Sequence, residues 1–219
     1  MTTFAKAFLT VGLVAIAAGP ASAQQGRGGF GGGGFGGAML LTNKGVQKEM
    51  KLTDEQAEKV QTFAREFGAK TREEYQGVTE LPEGERREKM QELGKTRAAA
   101  LHKGLAEILK PEQHKRFEQI ELQAAGPNAF ATPKVVEGLK LTKEQRDSIR
   151  QVNEDLRKVM TDAREDFQND REGAMKQMLE GRKAASEKVM ALLTAEQKSS
   201  WKEMVGEPFE VKYERRPQN

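Results

Sequence analysis

The sequence predicts an all-α protein made of two tandem antiparallel helical hairpins, preceded by an export signal and a glycine-rich linker. Three observations support this. Apolar residues recur every three or four positions from about residue 42 onward, as on one face of a helix. A five-residue pattern, L-T-x-E-Q, recurs along the chain. The charge is dense and mixed, with 36 Lys and Arg against 33 Asp and Glu, which suits long helices with narrow apolar stripes.

The first 23 residues have the features of a secretory signal peptide. Lys6 supplies a positive start, residues 7–18 are mainly apolar, and the small residues at 21–23 suit cleavage after Ala23. The apolar run is too short for a stable membrane anchor, although a retained N-terminal anchor is the alternative. We therefore expect a periplasmic or secreted protein with no stable membrane insertion. Because the chain has no cysteine, its stability must come from packing.

Residues 24–41 are predicted to form a disordered glycine-rich linker. Most residues from Gln24 to Gly37 are glycine, and such a chain cannot bury enough surface to offset its ordering entropy. The segment matches the dinucleotide pattern G-x-G-x-x-G, but no strand precedes it, so no dinucleotide site is expected. The net charge of +3 gives no basic field, and we expect no nucleic-acid partner.

The helical region contains two copies of one sequence unit. Val46 aligns with Val135, which superposes VQKEMKLTDEQ on VVEGLKLTKEQ. Further along, LAEILKPEQHKRFEQI aligns with VMALLTAEQKSSWKEM, which places Phe117 over Trp201. Self-similarity of this kind indicates a repeated structural unit. Phe117 and Trp201 are predicted to be matched core anchors.

Glycine and proline set the predicted boundaries of the two units. Gly126-Pro127 combines a helix stop with a residue that cannot continue the helix. The first helical unit is therefore assigned to residues 42–126 and the second to residues 127–208. Gly206 and Pro208 end the last helix, and residues 209–219 are predicted to be a flexible tail.

Each unit should contain a hairpin tip. Residues 81–84 read Leu-Pro-Glu-Gly, and the proline suits the first turn of the returning helix. The second tip is predicted at residues 169–172, with Asn169 as the helix cap. A continuous helix with Gly173 inside it is the alternative at this place.

The repeated L-T-x-E-Q pattern is interpreted as a helix start. The Thr142 hydroxyl is expected to accept the Gln145 backbone N–H, and the Gln145 side chain to reach back to the Thr142 N–H, which is a capping box. Leu141 is expected to pack on other helices. A direct role in contacting a ligand is the alternative. The equivalent residues of the other copies are Leu52, Thr53 and Gln56, then Leu193, Thr194 and Gln197, and, in a degenerate copy that begins its helix at Pro111, Leu109 and Gln113.

No constellation of residues in the sequence indicates an enzyme, so no catalytic residue and no cofactor are expected. His102 and His114 are twelve residues apart with a helix break at Lys110-Pro111 between them, so they are predicted not to share a helix face. No H-x-x-x-H or H-E-x-x-H pattern occurs. We predict no metal site, with these two histidines as the residues to consider if one exists. His114 is expected to be a solvated surface residue.

Methionines crowd the second unit, and two interpretations of them stay open. Methionine is soft and adaptable, so it fills core gaps and is also overused on promiscuous binding surfaces. The methionines could therefore be core filler at helical spacing, or a permissive face for binding client proteins. The candidate client-binding residues are Met160, Met175, Met178 and Met190.

The L-T-x-x-Q motif, repeated in a signal-bearing and highly charged helical protein, resembles the Spy/CpxP family of periplasmic stress proteins and chaperones. The resemblance covers residues 42–208 and rests on the motif residues given above. It implies antiparallel hairpins assembled into a thin curved cradle, often a dimer, whose concave face holds unfolded clients without ATP. This chain carries four motif copies rather than two, which suggests a monomer that imitates such a dimer.

The expected function is an exported, ATP-independent holdase that binds unfolded envelope proteins on its helical faces. Two alternatives stay open. One is a structural or regulatory protein that docks another envelope component. The other is a metal-responsive envelope stress sensor of the family that the motif resembles.

Overall fold

The computed structural model describes residues 35–212, and within this range the chain forms helices and no strand. The all-α prediction is therefore confirmed. The predicted signal peptide at 1–23, residues 24–34 of the predicted linker and the last residues 213–219 lie outside the described range. The elements in order are α1 (Phe35–Leu41), α2 (Lys44–Glu49), α3 (Asp54–Thr79), α4 (Glu83–Ala106), α5 (Pro111–Ala125), a 3-10 turn (Gly126–Ala131), α6 (Pro133–Gly138), α7 (Lys143–Asp166), α8 (Arg171–Leu192) and α9 (Ala195–Val205).

Two helical hairpins, α3 with α4 and α7 with α8, form the long parts of the molecule. Each hairpin rises from a core at its base, because the shorter helices pack around that end. Phe117 and Leu101 are fully buried in the first core, and Val135 and Val189 are fully buried in the second. Val46, the counterpart of Val135, is also fully buried, as the alignment of the two units predicts.

Away from these cores the hairpins are held by narrow rows of buried side chains. In the first hairpin the row continues through Thr71, Val78 and Arg97, of which two are polar. In the second it includes small residues such as Ala163 and Ala174. Small and polar side chains bury little apolar surface, so the outer halves of the hairpins bury less apolar surface than their bases.

The prediction that residues 24–41 form a disordered linker is wrong for residues 35–41. These residues form α1, which buries Ala38, Leu40 and Leu41 in the first core. The high glycine content of residues 24–37 led to a prediction of disorder that overlooked the short apolar run at residues 38–41. Gly37 has a packing role, because a side chain there would collide with Leu101 and with the carboxylate of Glu121.

The prediction of a flexible tail at 209–219 is wrong for residues 209–212. Val211 is 9% exposed and packs in the first core together with Phe209. The Phe209 N–H donates to Gln123 Oε1 at 2.8 Å, and Asn43 Nδ2 donates to the Lys212 carbonyl at 2.7 Å. A segment that follows the second unit thus completes the core of the first.

The segment after α5 occupies the equivalent place in the second core. Gly126 (φ 57°) and Gly206 (φ 63°) end α5 and α9 in backbone conformations that glycine adopts without strain. After Gly126 the chain carries Phe130, which is 4% exposed, into the second core. The segments after α5 and after α9 thus hold equivalent places, one in each core, although the boundary at residue 126 assigns Phe130 to the second unit.

The hairpin tips differ in detail from the predictions. The first tip falls at the predicted place, but Pro82 occupies the residue before α4 rather than its first turn. The second tip is a turn, so the alternative of a continuous helix is wrong. Asp170, not Asn169, caps α8, because its carboxylate accepts the Gly173 N–H at 2.9 Å.

Candidate functional site

The L-T-x-E-Q copies form the capping boxes that the sequence predicts. At the start of α7 the Gln145 N–H donates to Thr142 Oγ1 at 3.2 Å, and the Thr142 N–H donates to Gln145 Oε1 at 3.0 Å. The degenerate copy keeps half of this arrangement, since the Lys110 N–H donates to Gln113 Oε1 at 2.9 Å. The complete pair of bonds also occurs at Thr53 with Gln56 and at Thr194 with Gln197.

The glutamines of the motifs also pair with each other, which the sequence reasoning missed. Gln56 Nε2 donates to Gln113 Oε1 at 2.8 Å, and Gln113 Nε2 donates back to Gln56 Oε1 at 3.0 Å. Gln145 and Gln197 form the same two-way amide pair at 2.7 and 2.9 Å. The start of the first helix of each hairpin is therefore joined to the start of the helix that follows the hairpin: α3 to α5, and α7 to α9. The sequence feature that could have indicated this pairing is the matched position of the four glutamines in the two units.

Each paired amide uses its remaining N–H on a backbone carbonyl of the facing motif. Gln56 Nε2 donates to Ile108 O at 3.0 Å, and Gln113 Nε2 donates to Lys51 O at 3.1 Å. Lys51 (φ 54°) and its counterpart Lys140 (φ 50°) both have the left-handed conformation that is uncommon outside glycine. Both units thus form the same sharp turn just before the motif, beside the paired glutamines.

The motif leucines pack inward, as predicted. Leu109, Leu141 and Leu193 are each between 5% and 6% exposed, and Leu52 packs half-buried against the first core. We call each pair of joined motifs, 52–56 with 109–113 and 141–145 with 193–197, a motif junction. Its leucines pack inward and its caps and glutamines form hydrogen bonds within the protein, so a motif junction is a structural element. The bonded groups are the leucine, the capping residue and the glutamine, whereas the glutamate of each motif is exposed.

A second cluster of polar side chains lies beside the first motif junction, where the structure corrects a prediction. His102 and His114 were predicted not to share a helix face, and they lie on different helices, α4 and α5, but His102 Nδ1 is only 3.2 Å from His114 Nε2. The turn between α4 and α5 folds α5 back along α4, so helical spacing does not decide which residues meet. His114 is half-buried rather than solvated.

Two carboxylates complete this histidine cluster. His102 Nε2 lies 3.0 Å from Glu121 Oε2. Glu118 pairs with Lys134 of α6 at 2.8 Å, which links the cluster to the second unit. One ligand atom from each of His102, His114 and Glu118 lies within 4.8 Å of the other two.

The pKa of His102 is raised above its ordinary value. The hydrogen bond to Glu121 is the main cause, partial burial opposes it, and the charges of Glu118 and Lys134 act in opposite directions. A raised folded-state pKa stabilises the protein below the unfolded-state pKa, about 6.5 for histidine, and this contribution is lost as the pH rises through the folded-state pKa.

We therefore expect the stability advantage of the wild type over Glu121→Gln to be larger at about pH 5.5 than at about pH 8.5. Denaturant unfolding in the presence of a chelator measures this difference. Glu112→Gln, an exposed change on the same helix, should show no such pH dependence. An advantage that grows with pH would contradict the assignment of the His102–Glu121 interaction.

The candidate client-binding methionines lie along the second hairpin. Met160, Met175, Met178 and Met190 are all half-buried. Met190 packs against the second core, which favours the core-filler interpretation for that residue. Met175 and Met178 lie farther out on α8, next to Leu179, which is 44% exposed.

The first hairpin has an apolar opening at the equivalent place. Near the tip, α3 and α4 border an open cleft of about 450 Å³. Val78, Leu81 and Leu93 supply its apolar lining, and Glu74, Lys89 and Glu92 lie at its edge. Both outer hairpin halves therefore present apolar side chains that are bordered by charge.

Comparison with known proteins gives one match. Residues 128–201, from the 3-10 turn to the middle of α9, match the model of a domain of unknown function, DUF4890. No curated protein and no solved structure matches the chain. Among the described residues, no helix is long and apolar enough to cross a membrane.

Proposed function

We propose that this protein is an exported, ATP-independent holdase that binds unfolded proteins on the outer halves of its two hairpins. The observation that carries the proposal is the set of incompletely buried apolar side chains there, on helices that are otherwise highly charged. Leu179 is one of the two large apolar residues in the described range with substantial exposure, and it lies next to Met178. Apolar patches bordered by polar residues are typical of interaction surfaces.

The difference in buried apolar surface between the base and the outer half of the hairpins supports this proposal. The bases bury large apolar side chains and contain the paired glutamines, whereas the first outer half buries the polar residues Thr71 and Arg97. Regions with few buried apolar contacts open at a lower free energy than the rest of a structure. An outer half of this kind can adjust its surface to clients of different shape, and its methionines suit such adjustment.

Export and the envelope location are part of the same proposal. They rest on the signal-like composition of residues 1–23 and on the resemblance of the L-T-x-x-Q motif to the Spy/CpxP family. An extracytoplasmic holdase has no ATP supply, so it has to release clients by a balance of affinities rather than by nucleotide hydrolysis. Moderate, adaptable apolar contacts fit that requirement better than a deep pocket.

The proposal is tested by suppression of client aggregation. The client is a disulfide-dependent protein that aggregates on reduction, and light scattering is recorded without ATP. Because the chain has no cysteine, the reductant leaves it unchanged. We expect suppression at a near-stoichiometric ratio. An undiminished scattering signal would contradict the proposal, and capture of one dominant partner rather than many clients would favour the docking alternative.

A matched pair of variants locates the activity. The variant Met175→Gln/Met178→Gln/Leu179→Gln removes apolar surface from the outer half of α8, and we expect it to suppress aggregation less well than the wild type. The control Glu187→Gln/Lys188→Gln changes exposed residues nearer the base of the same helix without changing the net charge, and it should retain full activity. Circular dichroism melting is the check that both variants are folded.

A further inference from the structure

We propose that His102, His114 and Glu118 form a binding site for one divalent transition-metal ion that prefers imidazole ligands, with Zn²⁺ as the first candidate. The site goes beyond the holdase function and does not depend on it. Two histidine nitrogens and a carboxylate are a ligand set that suits zinc, copper and nickel, whereas magnesium and calcium prefer oxygen ligands alone.

The distance between the two imidazole nitrogens fits this use. His102 Nδ1 and His114 Nε2 are 3.2 Å apart. Two nitrogens bound to one tetrahedral zinc ion at the usual bond length lie about 3.3–3.4 Å apart. The two rings are therefore already placed at the spacing that a shared ion requires. Glu118 follows His114 by four residues on α5, so its carboxylate can supply the third ligand from the same helix face.

Glu121 holds His102 in the orientation that a metal ligand needs. The Glu121 carboxylate accepts a hydrogen bond from His102 Nε2 at 3.0 Å, so in the neutral ring the proton is on Nε2, and Nδ1, which lies 3.2 Å from His114 Nε2, keeps its lone pair for an ion. Histidines that bind metals commonly donate their other ring N–H to a carboxylate in this way. Glu121 is held in turn by α1, since Gly37 packs directly against it. Glu121 is thus a positioning residue for the site.

The place of the site in the fold makes it accessible and connects it to both units. The side chains of His102 and Glu118 are 31% and 30% exposed, so an ion can reach them from solvent. Glu118 also forms the ion pair with Lys134 at the start of the second unit. An ion that draws on the Glu118 carboxylate therefore competes with this ion pair, and removal of the Lys134 charge should strengthen metal binding.

The test is a calorimetric titration of the purified protein, without a histidine tag, with Zn²⁺ and separately with Mg²⁺. We expect one Zn²⁺ per chain and no comparable binding of Mg²⁺. Titration with Co²⁺ should give the visible absorption of a low-symmetry, four-coordinate ion. Failure of Zn²⁺ to bind, or Zn²⁺ binding no stronger than Mg²⁺ binding, would overturn the proposal.

Variants assign the ligands. His102→Gln and His114→Gln should each weaken Zn²⁺ binding by more than a hundredfold, and Glu121→Gln should weaken it by about 10–100-fold while the stoichiometry stays at one. Lys134→Gln should bind Zn²⁺ more tightly than the wild type. Glu112→Gln, an exposed change two residues before His114 on α5, is the matched control and should bind as the wild type does. Unchanged affinity in both histidine variants would overturn the site, and melting curves recorded without metal show whether each variant is folded.

Discussion

Replacing Phe117 with alanine is expected to lower the free energy of unfolding by about 3–5 kcal/mol, the range for a fully buried aromatic side chain. Phe117 has no exposed surface and lies among Leu101, Leu105 and Ile120 in the first core. Its ring is also 6.2 Å from the ring of His102, so the cavity would reach the histidine cluster. Denaturant unfolding measures the loss as a lower midpoint.

Trp201 is the internal comparison for this prediction. It aligns with Phe117, but it is only half-buried and packs at the edge of the second core, with its ring 4.3 Å from that of Phe130. Trp201→Ala should therefore cost less than Phe117→Ala, although tryptophan is the larger residue. An equal or greater loss for Trp201→Ala would mean that the two positions are equivalent anchors after all.

Replacing Gln113 with alanine is expected to cost about 2–4 kcal/mol, since it leaves several partly buried polar groups without partners. Gln113 is 7% exposed, and its amide bonds to Gln56, to the Lys51 carbonyl and to the Lys110 N–H. Thr53→Ala removes a cap but leaves the amide pair intact, so it should cost only about 1 kcal/mol. Chemical denaturation of both variants gives the comparison.

A double-mutant cycle shows whether the glutamine pair acts as one unit. If the amides of Gln56 and Gln113 depend on each other, the double alanine variant should lose clearly less stability than the sum of the two single variants. The coupling energy should then be about 1–2 kcal/mol, within the range for residues in direct contact. Losses that simply add would contradict the paired arrangement. Gln145 and Gln197 provide an independent repeat of the cycle in the second unit.

The helix starts could be predicted from sequence because the interactions that make them are local. A capping box joins residues three positions apart, so Thr142 and Gln145 carry the whole signal within five residues. The glycine stops at Gly126 and Gly206 are local for the same reason. The alignment of the two units also predicted tertiary structure, because equivalent positions such as Val46 and Val135 are buried alike.

The features that the sequence did not predict depend on contacts between distant residues. His102 and His114 meet only because α5 folds back on α4, and no spacing rule within one helix describes that. Gln56 and Gln113 pair across 57 positions of sequence. The burial of Val211 depends on a core that forms from the other end of the chain. Composition alone misread α1, since Gly37 permits close packing where disorder was expected.

The central claim, that unfolded clients bind the outer halves of the hairpins, is tested most directly by site-specific cross-linking. Because the chain has no cysteine, each introduced cysteine gives a unique attachment point for a photoreactive probe. We predict that probes at Leu93→Cys and Leu179→Cys, near the tips, cross-link to a reduced client. Probes at Glu112→Cys and Lys198→Cys, beside the motif junctions, should give little product. Cross-linking that is equal at all four positions, or confined to the base, would contradict the account.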